Sequence, residues 1–177
     1  MIRGEHVTLR QWIDADLAPF AAMSVDSEVM LHMRSPLTRE ESDALVERAR
    51  GQIAEHGYGL WAIDVPGLGF AGFVGLAKVP FEVPLAGFET AQHEIGWRLA
   101  RAAWGHGYAT EGAMLALRHG FDEAKLPQIT SFAALGNRAS VAVMKRIGLT
   151  HRGDFDHPRL PPEHRSYRHL LYAKERP

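Results

Sequence analysis

The chain has no cysteine, so it holds no disulfide framework, thiol nucleophile or Cys-ligated zinc site. No apolar run approaches the roughly 20 residues that a bilayer-spanning helix needs. The opening Met1-Ile2-Arg3-Gly4-Glu5 lacks the apolar stretch of a secretory signal. Neither charge sign is in excess: 20 Lys and Arg stand against 21 Asp and Glu, a formal net charge of -1. That balance argues against a dedicated nucleic-acid or membrane-surface binder, which would carry a basic excess. Repeats, low-complexity tracts and obvious linkers are also lacking. What is there is ordinary for a globular protein: 177 residues, 46% hydrophobic and 23% charged. One domain over 1–177, with a single sizeable core and a cytoplasmic location, is the fitting class.

Val7-Thr8-Leu9-Arg10 alternates apolar and polar, as a half-buried strand does. Asp14 is expected to cap a short helix carrying Leu17, Phe20 and Ala21 on one face. A second helical stretch is expected over 27–32. Thr38-Arg39-Glu40-Glu41 has the capping-box spacing, and its helix should run to about His56 and stop at Gly57. Strands are expected over 59–64 and 70–78, joined at Pro66-Gly67 as a hairpin. After a loop at 80–90, His93 to Leu99 reads as a strand. A helix from Gly107 to Phe121 carries Ala113, Met114, Leu117 and Phe121. A short strand over 129–133 and an Asn137-capped helix ended by Gly148 follow. Strands near 149–153 and 167–173 close the chain. Hairpins first and helical crossovers later imply an α/β (α+β) domain. Its sheet is mixed and mostly antiparallel, of about seven strands, with helices on both faces.

The turn Ala100-Arg101-Ala102-Ala103-Trp104-Gly105-His106-Gly107 joins the strand ending at Leu99 to the next helix. Small residues there let a ligand approach the backbone closely. The helix N-terminus offers unpaired N–H groups and partial positive charge, which suit a pyrophosphate. Read alone, it is equally a strand-to-helix turn that needs pliant residues. It is not a dinucleotide fingerprint, because Gly105-x-Gly107-x-x-Thr110 has threonine where a third glycine belongs and follows several antiparallel strands. Nor is it a phosphate-binding NTPase loop, since no Gly-Lys-Ser/Thr sequence occurs.

Trp104-Gly-His-Gly-Tyr-Ala109, followed by Thr110-Glu111, resembles the acyl-CoA loop of the GNAT acetyltransferase superfamily. That pattern is Arg/Gln-x-x-Gly-x-Gly/Ala; Gly107 and Ala109 match its last two positions, and Trp104 stands where Arg or Gln leads. Asn137-Arg-Ala-Ser140 through Gly148-Leu149 is similar to the Asn-x-x-Ser helix of the branch containing the ribosomal-protein N-terminal acetyltransferases (the RimJ/RimL type). Glu94-Ile95-Gly96-Trp97, Val7 to Arg10 and His169 to Tyr172 also match in order, so the resemblance covers nearly the whole chain. It implies the acyl-CoA N-acyltransferase fold, with a splay between the fourth and fifth expected strands. It implies acetyl-CoA as cosubstrate and a primary amine, on a protein N-terminus or a small molecule, as acceptor in a ternary complex. It implies no metal and admits a homodimer.

Carried over by motif, the resemblance assigns backbone groups of Ile95, Gly96, Trp97, Arg98 and Leu99 to the pantetheine arm and the thioester carbonyl. The loop amides of Trp104, Gly105, His106, Gly107, Tyr108, Ala109 and Thr110 would hold the pyrophosphate, Asn137 would hydrogen-bond the pantetheine, and Ser140 would border the same ligand. Asn137 is equally a helix cap, and the two roles are compatible. Ser140 is the candidate acid for the departing thiolate; its bland alternative is a hydroxyl bonded to its own helix. The attacking amine must be neutral, and free amines titrate at about 8 to 10, so a base helps. Strand alternation places Glu94, Gly96 and Arg98 on one face and His93, Ile95, Trp97 and Leu99 on the other. Glu94 is the better-placed base, with a salt-bridged or solvent-facing strand carboxylate as the alternative, and His93 is the weaker candidate. His151, His157, His164 and His169 lack the spacing of a zinc helix. The Pro-rich stretch 156–162 is expected to shape a loop over the acceptor groove. Trp61 and Trp97 are expected in the core. A non-catalytic acyl-CoA sensor on the same fold and a nucleotide-dependent oxidoreductase are the competing classes.

Overall fold

The computed structural model describes residues 1–89 and 92–177; the last residue of the expected 80–90 loop lies outside them. Eight strands form one sheet: β1 (Ile2–Arg3), β2 (Thr8–Arg10), β3 (Leu60–Val65), β4 (Gly69–Lys78), β5 (His93–Leu99), β6 (Gln128–Ala134), β7 (Thr150–Asp156) and β8 (Arg168–Glu175). Their order across the sheet is β1-β2-β3-β4-β5-β6-β8-β7. Every pairing is antiparallel except β5 with β6. The sequence predicts about seven strands. The additional one, β1, is two residues long and exists because Ile2 and Arg3 find Leu9 and Thr8 opposite them, a pairing too short to leave a periodic signal.

Four helices cover the faces: α1 (Leu17–Val25), α2 (Arg39–His56), α3 (Tyr108–Asp122) and α4 (Arg138–Arg146). β3 and β4 send alternate residues to opposite faces. Ile63, Val74 and Leu76 join Ile95 beneath α3 and α4, where Ala113, Ala116, Leu117, Phe121, Val143 and Met144 meet them. Ala62 and Phe73 face the other way, into a layer with Trp12, Phe20, Met23 and Val46 from the α1–α2 side. α3 sits close on the sheet: a Cβ at Gly120 would lie 2.7 Å from both Leu76 and Ile129 side chains.

Local signals explain most boundaries. The Thr38 hydroxyl accepts from the Glu41 N–H at 3.2 Å, and the Glu41 carboxylate accepts from the Thr38 N–H at 2.8 Å. Gly57 ends α2 with φ 73°. Asn137 accepts from the Ser140 N–H at 3.1 Å and so starts α4. Three expectations fail. Asp14 does not cap α1: it lies in a 3-10 turn over Asp14–Asp16 and pairs with Arg50. Asp16 turns back instead to accept from the Ile13 N–H at 3.0 Å and from Arg10 at 2.7 Å. The 27–32 stretch forms turns, not a helix: the Asp26 carboxylate caps it by accepting from the Glu28 and Val29 N–H groups, but after the Met30 N–H to Asp26 carbonyl bond the backbone bonds tighten to Leu31 with Glu28 and Met33 with Met30. Met114, expected on the buried face of α3, is 47% exposed.

Candidate active site

β5 pairs with β4 along its whole length, from Gly72↔Leu99 to Lys78↔His93. On its other side it meets β6 at one registered pair, Glu94↔Thr130. Two side chains clamp that closed end. The Thr130 hydroxyl donates to the His93 carbonyl at 3.1 Å, and the Ser131 hydroxyl to the Ile95 carbonyl at 2.8 Å. Odd-numbered residues of β5 therefore turn their peptide groups toward β6. Beyond Ile95 the strands part. The Leu99 carbonyl is taken by the Trp104 indole N–H at 2.9 Å. Trp97 has no registered counterpart on β6, so its N–H and C=O face an open cleft. Arg98 has the opposite parity: its peptide pairs with Phe73 on β4, leaving only its side chain free to contribute to a site.

The turn after β5 forms the mouth of the cleft. A 3-10 turn over Arg101–Ala103 leads to Gly105 and Gly107, at φ 81° and 83°. This left-handed backbone favours glycine, and nothing lies within 4 Å of a Cβ built at either. Gly107 is the N-cap of α3 without a side-chain cap. The N–H groups of the first turn of α3 are thus left for an anion, aligned with the helix dipole. A cavity of about 670 Å³ opens beside Gly105, His106, Gly107 and Thr110, bordered also by Arg118 and Arg146. The His106 ring stacks on Tyr108 with centroids 5.3 Å apart. Trp104, 45% exposed, uses its indole to brace the turn against β5. Glu111 of the same motif serves the fold, because its carboxylate accepts from the His6 N–H at 2.8 Å and so holds the β1–β2 turn on α3.

A second cavity, of about 490 Å³, lies over the β5 face that carries Glu94, Gly96 and Arg98. Asn137, Ser140 and Met144 of α4 also line it. Its outer wall comes from His32, Met33 and Arg34 before α2, and from His157, Arg159 and Leu160 after β7. The Pro-rich stretch over 156–162 does lie against this groove. Ion pairs from Arg101 to Glu28 and Asp26 tie the segment before α2 to the turn after β5.

Electrostatics in this cavity are unusual. Glu94 has no hydrogen-bond or ion-pair partner among the described residues, and loss of water pushes its carboxyl up to about 8. Burial pulls the Arg98 guanidinium down to about 10. Burial holds His32, His157 and His169 below the ordinary imidazole value, His169 at about 4. Those three imidazoles are therefore mostly neutral at pH 7.

Glu94 and Ser140, proposed from sequence as a pair, thus share one cavity. His93 does not line it; its ring meets the Tyr58 hydroxyl at 3.1 Å. Trp61 is buried, and Trp97 is half-buried against the core while also bordering the cavity. The histidines of the C-terminal part make no metal cluster among the described residues. Among those residues, no helix is long and apolar enough to cross a membrane. Sequence reasoning missed the wall formed by His32 to Arg34, which a failed helix expectation had hidden.

Residues 6–150 match the family model described as the acetyltransferase (GNAT) domain, so the chain belongs to the GNAT acetyltransferase family. Among curated proteins it is 39% identical over 95 residues to FsC-acetyl coenzyme A-N(2)-transacetylase of Aspergillus fumigatus. That match covers 54% of this chain and 40% of the fungal protein, so the chain spans well under half of that relative. The crystal structure of a GNAT-family acetyltransferase from Bacillus anthracis superposes with a TM-score of 0.79 at 24% identity, covering 99% of this chain and 98% of the other. RimL, a ribosomal-protein alpha-N acetyltransferase solved with coenzyme A, superposes with a TM-score of 0.75 at 16% identity, covering 97% and 95%. At these identities the two structures share the fold.

Proposed function

We propose that this protein transfers an acetyl group from acetyl-CoA directly to a primary amine, in a ternary complex. The observation that carries this reading is the placement of β5. It meets β6 at a single pair, ends at the turn before the uncapped start of α3, and carries Glu94 into a cavity that Ser140 also lines. In this reading the N–H groups from Gly105 to Thr110 hold the pyrophosphate, the Trp97 peptide pairs with the pantetheine arm, and Asn137 borders it. Arg98 contributes its side chain to the acceptor cavity instead.

Glu94 accepts a proton from the amine, whose nitrogen attacks the thioester carbonyl carbon. A carboxyl raised to about 8 is a far stronger base than an ordinary carboxylate and suits an amine that titrates near 8. The C–S bond then breaks, and the Ser140 hydroxyl passes a proton to the departing sulfur, regaining one from the proton that Glu94 received. The products are an N-acetyl amide and coenzyme A. A protein N-terminus, as in the RimL type, is one acceptor compatible with this chemistry.

Calorimetric titration with acetyl-CoA, paired with thiol release over a panel of amines, tests the reading. Binding and amine-dependent thiol release are expected. Absence of binding at millimolar acetyl-CoA refutes the placement of the cosubstrate, and binding without turnover of any amine favours a sensor.

A further inference from the structure

The acceptor cavity is built for an anion as well as for an amine. Its wall carries three guanidinium groups, from Arg34, Arg98 and Arg159, and Glu94 is its sole carboxyl among the described residues. Arg34 and Arg159 are exposed. Arg159 is already engaged, bonding the Pro80 carbonyl and lying 5.4 Å over the Phe81 ring. Arg98 is different. Its Nε and Nη1 are buried and have no partner among the described residues. Its Nη2 meets, among those residues, only the Met33 sulfur at 3.4 Å, a weak acceptor. The Phe73 ring covers its flank at 5.4 Å. A guanidinium stripped of water without a carboxylate or phosphate opposite it is costly. Its planar fork is shaped for two oxygens of one such group. Glu94 does not serve: it lies four residues along the same strand face, roughly 13 Å away at the backbone.

We infer that the acceptor is an amine that also carries an anionic group, a carboxylate or a phosphate, which displaces the Met33 sulfur and pairs with Arg98 while the amine lies toward Glu94 and Ser140. This rests on the acetyltransferase reading of the cavity. Polyamines and aminoglycosides would bring further positive charge against three arginines and are disfavoured.

Matched acceptors test it. Thiol release from acetyl-CoA is compared for amino acids against their carboxamides, and for O-phosphoethanolamine against ethanolamine; the two pairs separate the carboxylate from the phosphate source. In the wild-type protein at least one anionic member is expected to exceed its neutral partner about tenfold or more in kcat/KM. Arg98→Met should erase that preference, with the loss falling on KM for the anionic partner, and Arg98→Lys should restore part of it. The same probes are titrated calorimetrically into CoA-saturated protein. Without acceptor, Arg98→Met should melt above the wild type, because it removes an unpaired buried charge; a lowered melting point would speak against an orphaned guanidinium. A preference for neutral or polycationic acceptors, or an anion preference that survives Arg98→Met, overturns the inference while leaving the acetyltransferase reading intact. Anion binding that depends on Arg98, without turnover of any amine, overturns the acetyltransferase reading and leaves the anion site standing. Neither turnover nor Arg98-dependent binding of either anionic probe overturns both.

Discussion

Glu94→Gln probes stability and chemistry at once. The carboxyl has no partner among the described residues and is desolvated, so the folded chain prefers it protonated, with its pKa raised from 4.5 to about 8. In the unfolded chain it ionises near 4.5. The folded state therefore holds the extra proton between these values. The contribution of this group to stability is fully present below about 4.5, falls as pH rises, and is lost once pH passes 8. The slope within that window is at most about 1.4 kcal/mol per pH unit. From pH 6 to pH 8 the wild type should lose about 2 kcal/mol relative to Glu94→Gln, whose amide does not titrate. The carboxyl opens partly into the cavity, and water there trims the figure toward about 1 kcal/mol. Urea unfolding of both proteins at pH 6 and 8 measures it, and shared titrations cancel in the difference. A difference that stays constant, or grows in favour of the wild type, refutes the desolvated carboxyl. With an acceptor whose amine titrates well below 7, so that only this carboxyl changes charge, wild-type kcat/KM should climb about tenfold per pH unit toward pH 8 and flatten above it. Glu94→Gln should lack that inflection and lose on the order of 10² to 10⁴ in rate. Unchanged turnover would remove Glu94 as the base.

Gly107→Glu should abolish acetyl-CoA binding in calorimetry by placing a carboxylate among the N–H groups at the start of α3. The left-handed backbone at φ 83° adds roughly 1 kcal/mol of strain; Gly107→Asn, which tolerates that backbone, should retain measurable binding. Asn137→Ala removes the acceptor for the Ser140 N–H and should cost about 1 kcal/mol while raising KM for acetyl-CoA. Asn137→Ser should recover the stability and leave KM high. Asp16→Ala strips the 2%-exposed carboxylate that holds Arg10 and the Ile13 N–H. Asp64 keeps one contact with Arg10, so the loss expected in urea unfolding is about 2 to 4 kcal/mol; a loss within about 0.5 kcal/mol would show the triad to be dispensable.

Features that depend on near neighbours were legible in the chain. Thr38 and Glu41 cap α2 across three residues, Asn137 caps α4 across three, and β5 spans the predicted 93–99, because these are settled by backbone geometry and a period of two. The glycine turn after β5 was legible for the same reason: Gly105 and Gly107 stand where the backbone goes left-handed. The expectations that failed involve contacts from outside the segment. β1 needed Leu9 and Thr8 opposite it, Asp16 answered to Arg10 rather than to its own helix, and the segment after Asp26 is tied by Arg101 to the turn after β5.

Most of the elements, their order and the glycine turn before α3 are encoded within a few residues each, which is why they are legible in the chain. What lines the cavity over β5 is set by distant segments closing on it. Arg98 reads from sequence as one more residue of a strand. Folding turns its peptide to β4 and buries its guanidinium against Phe73 and Met33. A residue's water and its partners are set by chain segments far from it in sequence, so neither Glu94's raised pKa nor Arg98's missing anion could be read before those segments closed around them.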